Sequence, residues 1–408
     1  MALLPVSEAL DRLLAPARPV TRTERVALHE AAGRVLAEDI AARLTHPPFD
    51  NSAMDGYAVR HADIAEIGAV LTVAGVSAAG RAFEGTAGPG EAVRIFTGAP
   101  LPAFADTVLL QEDAELLPDG RIRTTFATPL GRHIRPRGQD FQEGEVVLRA
   151  GDVLDAGRLT LAAATNHPDM LLYARPRVAI LATGDELVPP GTDPGPGRIV
   201  ASNSFGVAAI ARAAGAEAID LGIVADDRQA MLEAVKGAQA RGIDVLVTLG
   251  GASVGDYDLV QPVLAEAGMA LDFWRIAMRP GKPLMVGRLG DIQVLGLPGN
   301  PVSSLVCSLL FLDPLVRRLA RLPALDRRRP ALAAAPLAAN GHRQDYVRAR
   351  LTRGPGGDLL ATPFTRQDSS MTKVFAEADA LIVRPPEAPA AETGTPCEIL
   401  LLRDVPAF

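Results

Sequence analysis

The chain has few of the residues that usually advertise chemistry. Among its 408 residues are two cysteines, one tryptophan and four tyrosines. Cys307 and Cys397 lie far apart and have no metal-ligand spacing, which excludes a disulfide framework and a cysteine zinc site. His46 and His133 also stand without metal spacing and read as structural residues. Aromatics make up 4% of the chain, so its cores must be filled by aliphatic side chains. The longest apolar run, 305–312, is interrupted by Cys307 and Ser308 and is far too short to cross a bilayer. Positive charge is not concentrated either: 41 basic residues against 48 acidic ones give a net charge of −7. The one basic triplet, Arg327-Arg328-Arg329, lies between Pro323 and Pro330 and reads as a solvated linker. Nucleic acid and membrane are therefore not expected partners. The N-terminal stretch lacks the pattern of a secretion signal, so a reducing cytoplasm is the expected location.

Glycine and proline are plentiful, and their placement is informative. Met278–Ser304 carries two unusual loops, Arg279-Pro280-Gly281-Lys282-Pro283 and Gly296-Leu297-Pro298-Gly299-Asn300-Pro301-Val302-Ser303-Ser304. Proline fixes φ and removes an amide donor, and glycine permits positive φ and close backbone approach. Such loops present Arg279, Lys282 and Asn300 rigidly, which suits an anionic ligand. A third loop, Gly250-Gly251-Ala252-Ser253-Val254-Gly255-Asp256-Tyr257-Asp258, follows the apolar run 244–249. Amides in such a loop can turn toward phosphate, although neither the P-loop nor the dinucleotide spacing is present. Its two aspartates beside three glycines suggest phosphate and metal binding together.

Alternation of strand and helix from 177 to about 320 predicts a doubly wound, mostly parallel α/β sheet. Thr183–Glu186, Asp226, Gly250–Asp258 and Pro298–Ser304 all follow strands, so they should converge at one carboxyl edge. Asn203 is expected to cap one helix, and Asp226 the next with Gln229 as its capping-box partner. Pro301 should start a long helix to Ala320, with Asn300 as its cap. Residues 1–44 read as helix, 45–140 as β-rich, and 141–172 as helical again near 157–164. With 408 residues, two to four domains are expected.

With Pro48-Phe49-Asp50-Asn51-Ser52-Ala53-Met54-Asp55-Gly56-Tyr57-Ala58 and Thr97-Gly98-Ala99-Pro100-Leu101-Pro102, these loops resemble the molybdopterin molybdenumtransferase family, which includes the corresponding domain of gephyrin. The resemblance spans nearly the whole chain, with at least six motifs in order. It implies a helical domain from 1–44 and 141–172, an inserted β-rich domain at 45–140, an α/β domain at 173–322 and a C-terminal small β-barrel at 323–408. It implies adenylylated molybdopterin and molybdate as substrates, Mg²⁺ as cofactor, and AMP release. Asp55, Thr97, Asp140 and Glu186 are implied as catalytic. Gly250, Gly251, Ser253, Gly255, Pro298 and Asn300 are implied on the pterin substrate. Arg279, Lys282, Pro283, Ser303, Arg348, Arg350, Ser369 and Ser370 are implied around molybdate. For the metal, Asp226 or Asp227 and Asp256 or Asp258 suit a hard cation; the resemblance favours Asp226 and Asp258. It also implies a homodimer with a shared active site and transient contact with other proteins of cofactor synthesis. Two other classes fit less well. A receptor-clustering scaffold finds no support, and an adenylyltransferase would carry a Thr-Gly-Gly-Thr-Gly loop where Gly-Gly-Ala-Ser-Val-Gly stands here.

Overall fold

Runs that are apolar without alternation become strands buried on both faces. In the computed structural model, which describes residues 3–251 and 259–403, four such runs and two more exposed strands form one sheet. These are β1 (Arg177–Thr183), β2 (Glu217–Val224), β3 (Val245–Leu249), β4 (Ala270–Trp274), β5 (Met285–Leu289) and β6 (Ile292–Leu297), in the order β2-β1-β3-β6-β5-β4. Strands β2, β1, β3 and β6 are parallel; β5 and β4 run antiparallel to their neighbours.

Successive residues on these strands feed opposite cores. Val178, Ile180, Val245, Val247 and Leu295 pack with helices α1 (Val6–Leu14), α2 (Asn203–Ala213), α5 (Pro301–Cys307) and α6 (Asp313–Leu319). Ala179, Leu246 and Val294 pack with α3 (Arg228–Ala240) and α4 (Val260–Glu266) on the other face. Burying a Val or Leu side chain contributes roughly 1.5–3 kcal/mol, so these two layers dominate the stability of the sheet.

The C-terminal segment closes on itself. Strands β7 (Arg328–Ala333), β8 (Gln344–Arg353), β9 (Leu359–Pro363), β10 (Ala380–Arg384) and β11 (Pro396–Leu401) pair in the cycle β8-β9-β7-β11-β10 and back to β8. This barrel is joined to the α/β sheet by the short strand Met278–Arg279, which pairs in parallel with Gln344–Asp345. By their contacts the residues form two compact units, Met1–Thr23 with Tyr173–Phe408, and Glu24–Leu172. The second unit holds its own six-stranded sheet, in the order Thr107–Leu110, Gly56–Val59, Glu91–Ile95, Val70–Ser77, Ile122–Thr124, Ala114–Leu116. No described helix is long and apolar enough to cross a membrane.

Four expectations are corrected. Residues 1–44 are not helical throughout. After Val6–Leu14, prolines at 16 and 19 stop the helix, and Thr23–Ala27 pairs as a strand with Asp169–Tyr173. Val26, Leu36 and Ile40 then bury against Leu148, Leu154 and Leu172. The segment 301–320 is not one regular helix. Pro314 cannot bond to the carbonyl four residues earlier, and a π turn at Ser308–Leu312 separates α5 from α6. Asn203 is not a cap but the first residue of α2, since Ser202 holds the cap position without a side-chain bond. The arginine triplet is not a solvated linker: Arg327 donates to the buried Asp313 at 3.0 Å, and Arg328, the first residue of β7, pairs with Glu398 at 2.6 Å.

Candidate functional site

Loops leaving β1, β2, β3 and β6 meet at the carboxyl edge of the sheet, and glycines make the meeting possible. Gly250, at φ +91°, donates its N–H to the Leu297 carbonyl at 3.2 Å; a Cβ there would sit 3.0 Å from the Thr183 carbonyl oxygen. A Cβ on Gly299 would lie 3.7 Å from the Cα of Gly250. Asn203 Nδ2 ties this junction down by donating to the Gly299 carbonyl at 2.7 Å. The loops enclose a cleft of about 730 Å³, a size typical of small-molecule sites. Glu186, Asp226, Gly250, Pro298, Asn300 and Ser303 line it, with Gly251, Pro283 and Ser370.

One end of the cleft is acidic. Glu186 folds back over Gly184, where a Cβ would lie 2.5 Å from its carboxylate oxygen. Asp185 accepts the Asp226 backbone N–H at 3.1 Å. Desolvation at the cleft wall, then repulsion from Asp185 and Glu186, pushes the Asp226 carboxyl above the usual aspartate range. Asp226 does not cap α3. That role belongs to Asp227, whose Oδ1 accepts the Ala230 N–H at 2.8 Å, so the Asp226 carboxylate is left facing the cleft.

The 279–283 loop is fixed from below. Gly281 has φ +112°, and a Cβ on it would fall 2.6 Å from Cys307 Sγ and 3.0 Å from Met278 Cε. Only glycine fits this buried contact, so the loop is seated on α5. Its two cations are not equivalent. Arg279 is ion-paired with the buried Asp345, which raises its guanidinium pKa. Lys282 is exposed and forms no ion pair among the described residues. Pro283 borders the cleft.

The barrel contributes less exposed charge than expected. Arg348 is 1% exposed and lies on the strand face opposite the barrel-core residues Ala349 and Leu351, under the 367–368 loop. Its Nε donates to Gln367 Oε1 at 2.9 Å and its Nη1 to the Asp368 carbonyl at 2.8 Å, and burial lowers its pKa. Arg350 is ion-paired with Glu377 and lies 5.1 Å over the Phe364 ring. Neither lines the cleft. Ser369 faces α5: its hydroxyl accepts from Asn300 Nδ2 at 2.9 Å and its carbonyl from Val302 N at 3.0 Å. Asn300 therefore spends its amide on the barrel rather than capping α5, and it has no side-chain cap bond.

The second unit holds Asp55, Thr97 and Asp140. Asp55 Oδ1 accepts the Thr97 N–H at 2.7 Å and the Thr97 hydroxyl at 2.8 Å. These bonds, backbone first and with Arg94 nearby, hold the Asp55 carboxyl below its usual range. Asp140 lines a smaller cavity of about 370 Å³ with His46, Asn51, Arg135 and Gln139. His46 is stacked on Phe141 at 5.5 Å, in keeping with a structural role. The expected site residues Ser253, Gly255, Asp256 and Asp258 lie outside the described residues.

Several participants were not expected. Asp345 neutralises Arg279, Asp368 holds Ser370, and Ile199 and Val200 give the cleft an apolar lip. A run of Pro and Gly at 189–197 hides Ile199 and Val200 from any periodic pattern, and no local spacing links residues 66 positions apart.

A doubly wound sheet with an acidic, glycine-lined cleft at its carboxyl edge, and a barrel beside it, defines an α/β protein with a cleft of small-molecule size. Family models match residues 4–165 (MoeA N-terminal region, domain I and II), 179–318 (probable molybdopterin binding domain) and 330–402 (MoeA C-terminal region, domain IV). Molybdopterin molybdenumtransferase 1 of Mycobacterium tuberculosis is 33% identical over 97% of this chain and 98% of its own. A Haemophilus influenzae molybdopterin molybdenumtransferase is 39% identical over 78% of each chain. The crystal structure of the molybdopterin biosynthesis MoeA protein from Pyrococcus horikosii superposes with a TM-score of 0.80 at 30% identity, covering 99% of this chain and 100% of that one. The chain belongs to the molybdopterin molybdenumtransferase family, a family of transferases.

Proposed function

We propose that this chain inserts molybdenum from molybdate into adenylylated molybdopterin, with Mg²⁺-dependent release of AMP, as a cytoplasmic homodimer whose active site is shared. The observation that carries this is the convergence of Glu186, Asp226, Gly250 and Asn300 on one cleft. The three tasks of the reaction are to bind a pyrophosphate, to bind a tetrahedral dianion and to cleave a phosphoanhydride.

The Gly250-Gly251 backbone can approach phosphate oxygens because no Cβ intervenes. Glu186, beside the phosphates, is assigned proton transfer at the departing AMP. Lys282, exposed next to the cleft-lining Pro283, is assigned the positive charge for the dianion, and the cleft-lining Ser303 and Ser370 its hydroxyl donors. Asp55, Thr97 and Asp140 are assigned to the partner's site.

A hard cation fits the acidic end. Desolvation and, after it, repulsion from Asp185 and Glu186 raise the Asp226 carboxyl, and a divalent charge would relieve that repulsion. Among the described residues no three acidic, histidine or cysteine side chains form a closed cage; Mg²⁺ rarely uses one, taking one or two carboxylates with waters and substrate oxygens. Asp226 and Asp258 would hold the ion, which when bound supplies Lewis-acid polarisation of the phosphoanhydride. Two free thiols, one fully buried, are compatible with a reducing compartment. The chain is read as four segments, 1–44 with 141–172, 45–140, 173–322 and 323–408.

The test is an assay with purified adenylylated molybdopterin. AMP should appear together with molybdenum cofactor only when molybdate and Mg²⁺ are both present. Pyrophosphate release from molybdopterin and ATP, with no molybdate requirement, would instead identify an adenylyltransferase and overturn the proposal.

A further inference from the structure

Ser370 borders the cleft beside Pro283 and Ser303. Its backbone N–H and its hydroxyl are the two donors it could offer to an oxyanion. Both are already taken. Asp368 Oδ1 accepts the Ser370 N–H at 2.8 Å and the Ser370 hydroxyl at 2.6 Å.

The backbone around this pair is fixed. Arg348, 1% exposed, grips the Asp368 carbonyl at 2.8 Å. Ser369 is bonded to Val302 N at 3.0 Å and to Asn300 Nδ2 at 2.9 Å. Residues 368 and 369 are thus anchored to the buried Arg348 of β8 and to α5. The exposed Asp368 side chain is the part of the loop free to turn away, about its own χ1. One carboxylate oxygen accepts both donors, and one oxygen of a tetrahedral oxyanion can accept the same two, so the donor pair serves either anion.

We propose that Asp368 is an internal anion that occupies the Ser370 donor pair and sets the affinity of the cleft for its oxyanion substrate. This rests on the oxyanion reading of the cleft given above. An entering dianion must displace the carboxylate from Ser370 and meets its negative charge beside the site. The carboxylate thereby makes oxyanion binding weaker than the donor set alone would allow. It also disfavours any anion too weakly bonded elsewhere in the cleft to force the exchange. Asp368 makes no contact with the reacting atoms; it acts through Ser370.

A double-mutant cycle tests this, with molybdate binding measured by calorimetric titration on the full chain. Asp368→Ala should tighten molybdate binding by about three- to tenfold, the factor carried by one ordinary net hydrogen bond. Ser370→Ala should weaken molybdate binding more in the Asp368→Ala background than in the unmodified protein. Asp368→Asn keeps an acceptor for the Ser370 N–H but removes the charge, and should give an intermediate gain. It carries the test if Asp368→Ala loses thermal stability. If Asp368 substitutions weaken binding or leave it unchanged, or if the Ser370 effect is the same in both backgrounds, the inference is overturned while the oxyanion site stands. If none of the proteins binds molybdate, the oxyanion reading falls and this inference falls with it.

Discussion

At the residue scale, two neighbouring aspartates divide two roles that one was expected to combine. Asp226 is desolvated at the cleft wall and sits among like charges, so its carboxyl is raised. A raised folded-state pKa means that the native state binds the proton more tightly than the unfolded chain does. The ionised group therefore opposes folding above that pKa, and the penalty vanishes as pH falls through it. Asp226→Asn should leave the melting temperature unchanged or raise it by about 1 °C. The same change should cut AMP release by about 10- to 100-fold, as the loss of metal-site groups commonly does. It should also abolish the stabilising shift that Mg²⁺ gives the unmodified protein in thermal denaturation. A variant still stabilised by Mg²⁺ to the full extent would remove Asp226 from the metal site. In the unmodified protein, the apparent affinity for Mg²⁺ should weaken on acidification from a higher pH than an ordinary aspartate, with its pKa near 3.9, would dictate, because the proton competes with the cation for the metal-free carboxylate.

The cations at 279 and 282 make a similar contrast. Motif and loop rigidity singled both out, but no local pattern could show that Asp345 neutralises Arg279. Lys282 is left as the uncommitted charge of that loop among the described residues. A charge-assisted hydrogen bond contributes about 1.5–3 kcal/mol, so Lys282→Ala should weaken molybdate binding by roughly one to two orders of magnitude. Arg279→Ala should weaken it less and should lower thermal stability, because Asp345 loses its partner. Titrating both variants with molybdate decides the order; a larger binding loss at 279 would assign the oxyanion to the ion-paired arginine instead.

At the scale of elements, the helix ends show what sequence can and cannot settle. Strands β1, β3, β5 and β6 were legible because residues buried on both faces need no polar alternation, and their ends because glycine and proline punctuate them; the half-exposed β4 was not legible. The cap of α3 was not, since Asp226 and Asp227 are equally good cap residues and only the approach of β2 selects between them. Asp227→Ala should therefore cost about 1 kcal/mol of stability through the lost bond to Ala230, measured by denaturant unfolding. AMP release per folded molecule should persist. Loss of activity without loss of stability would reverse the two assignments. The helical reading of 15–44 failed for a related reason. Val26 and Leu28 stand two apart, the spacing of a strand and not of a helix, and pairing with the distant 146–173 segment fixes the extended form in which Val26 and Leu36 are buried.

At the scale of the molecule, the residues proposed for catalysis are divided between the two compact units. Glu186 and Asp226 belong to the unit that includes Tyr173 onward; Asp55, Thr97 and Asp140 belong to Glu24–Leu172. Sequence motifs identified both groups but carry no information about which copy of the chain brings them together. The proposed homodimer makes a specific prediction. An Asp55→Ala protein and a Glu186→Ala protein should each be nearly inactive. In a mixed dimer one of the two sites takes both intact groups and the other takes both defects, so subunit exchange should restore activity. With random exchange of equal amounts, half of the dimers are mixed and each has one working site, so about a quarter of the unmodified activity should return. Exchange can be followed independently with differently tagged copies. If tagged subunits exchange and AMP release stays at the level of the single variants, the two groups act within one chain and the shared site is wrong. Recovery that rises with the fraction of mixed dimers would instead place Asp55 and Glu186 of different subunits in one catalytic centre.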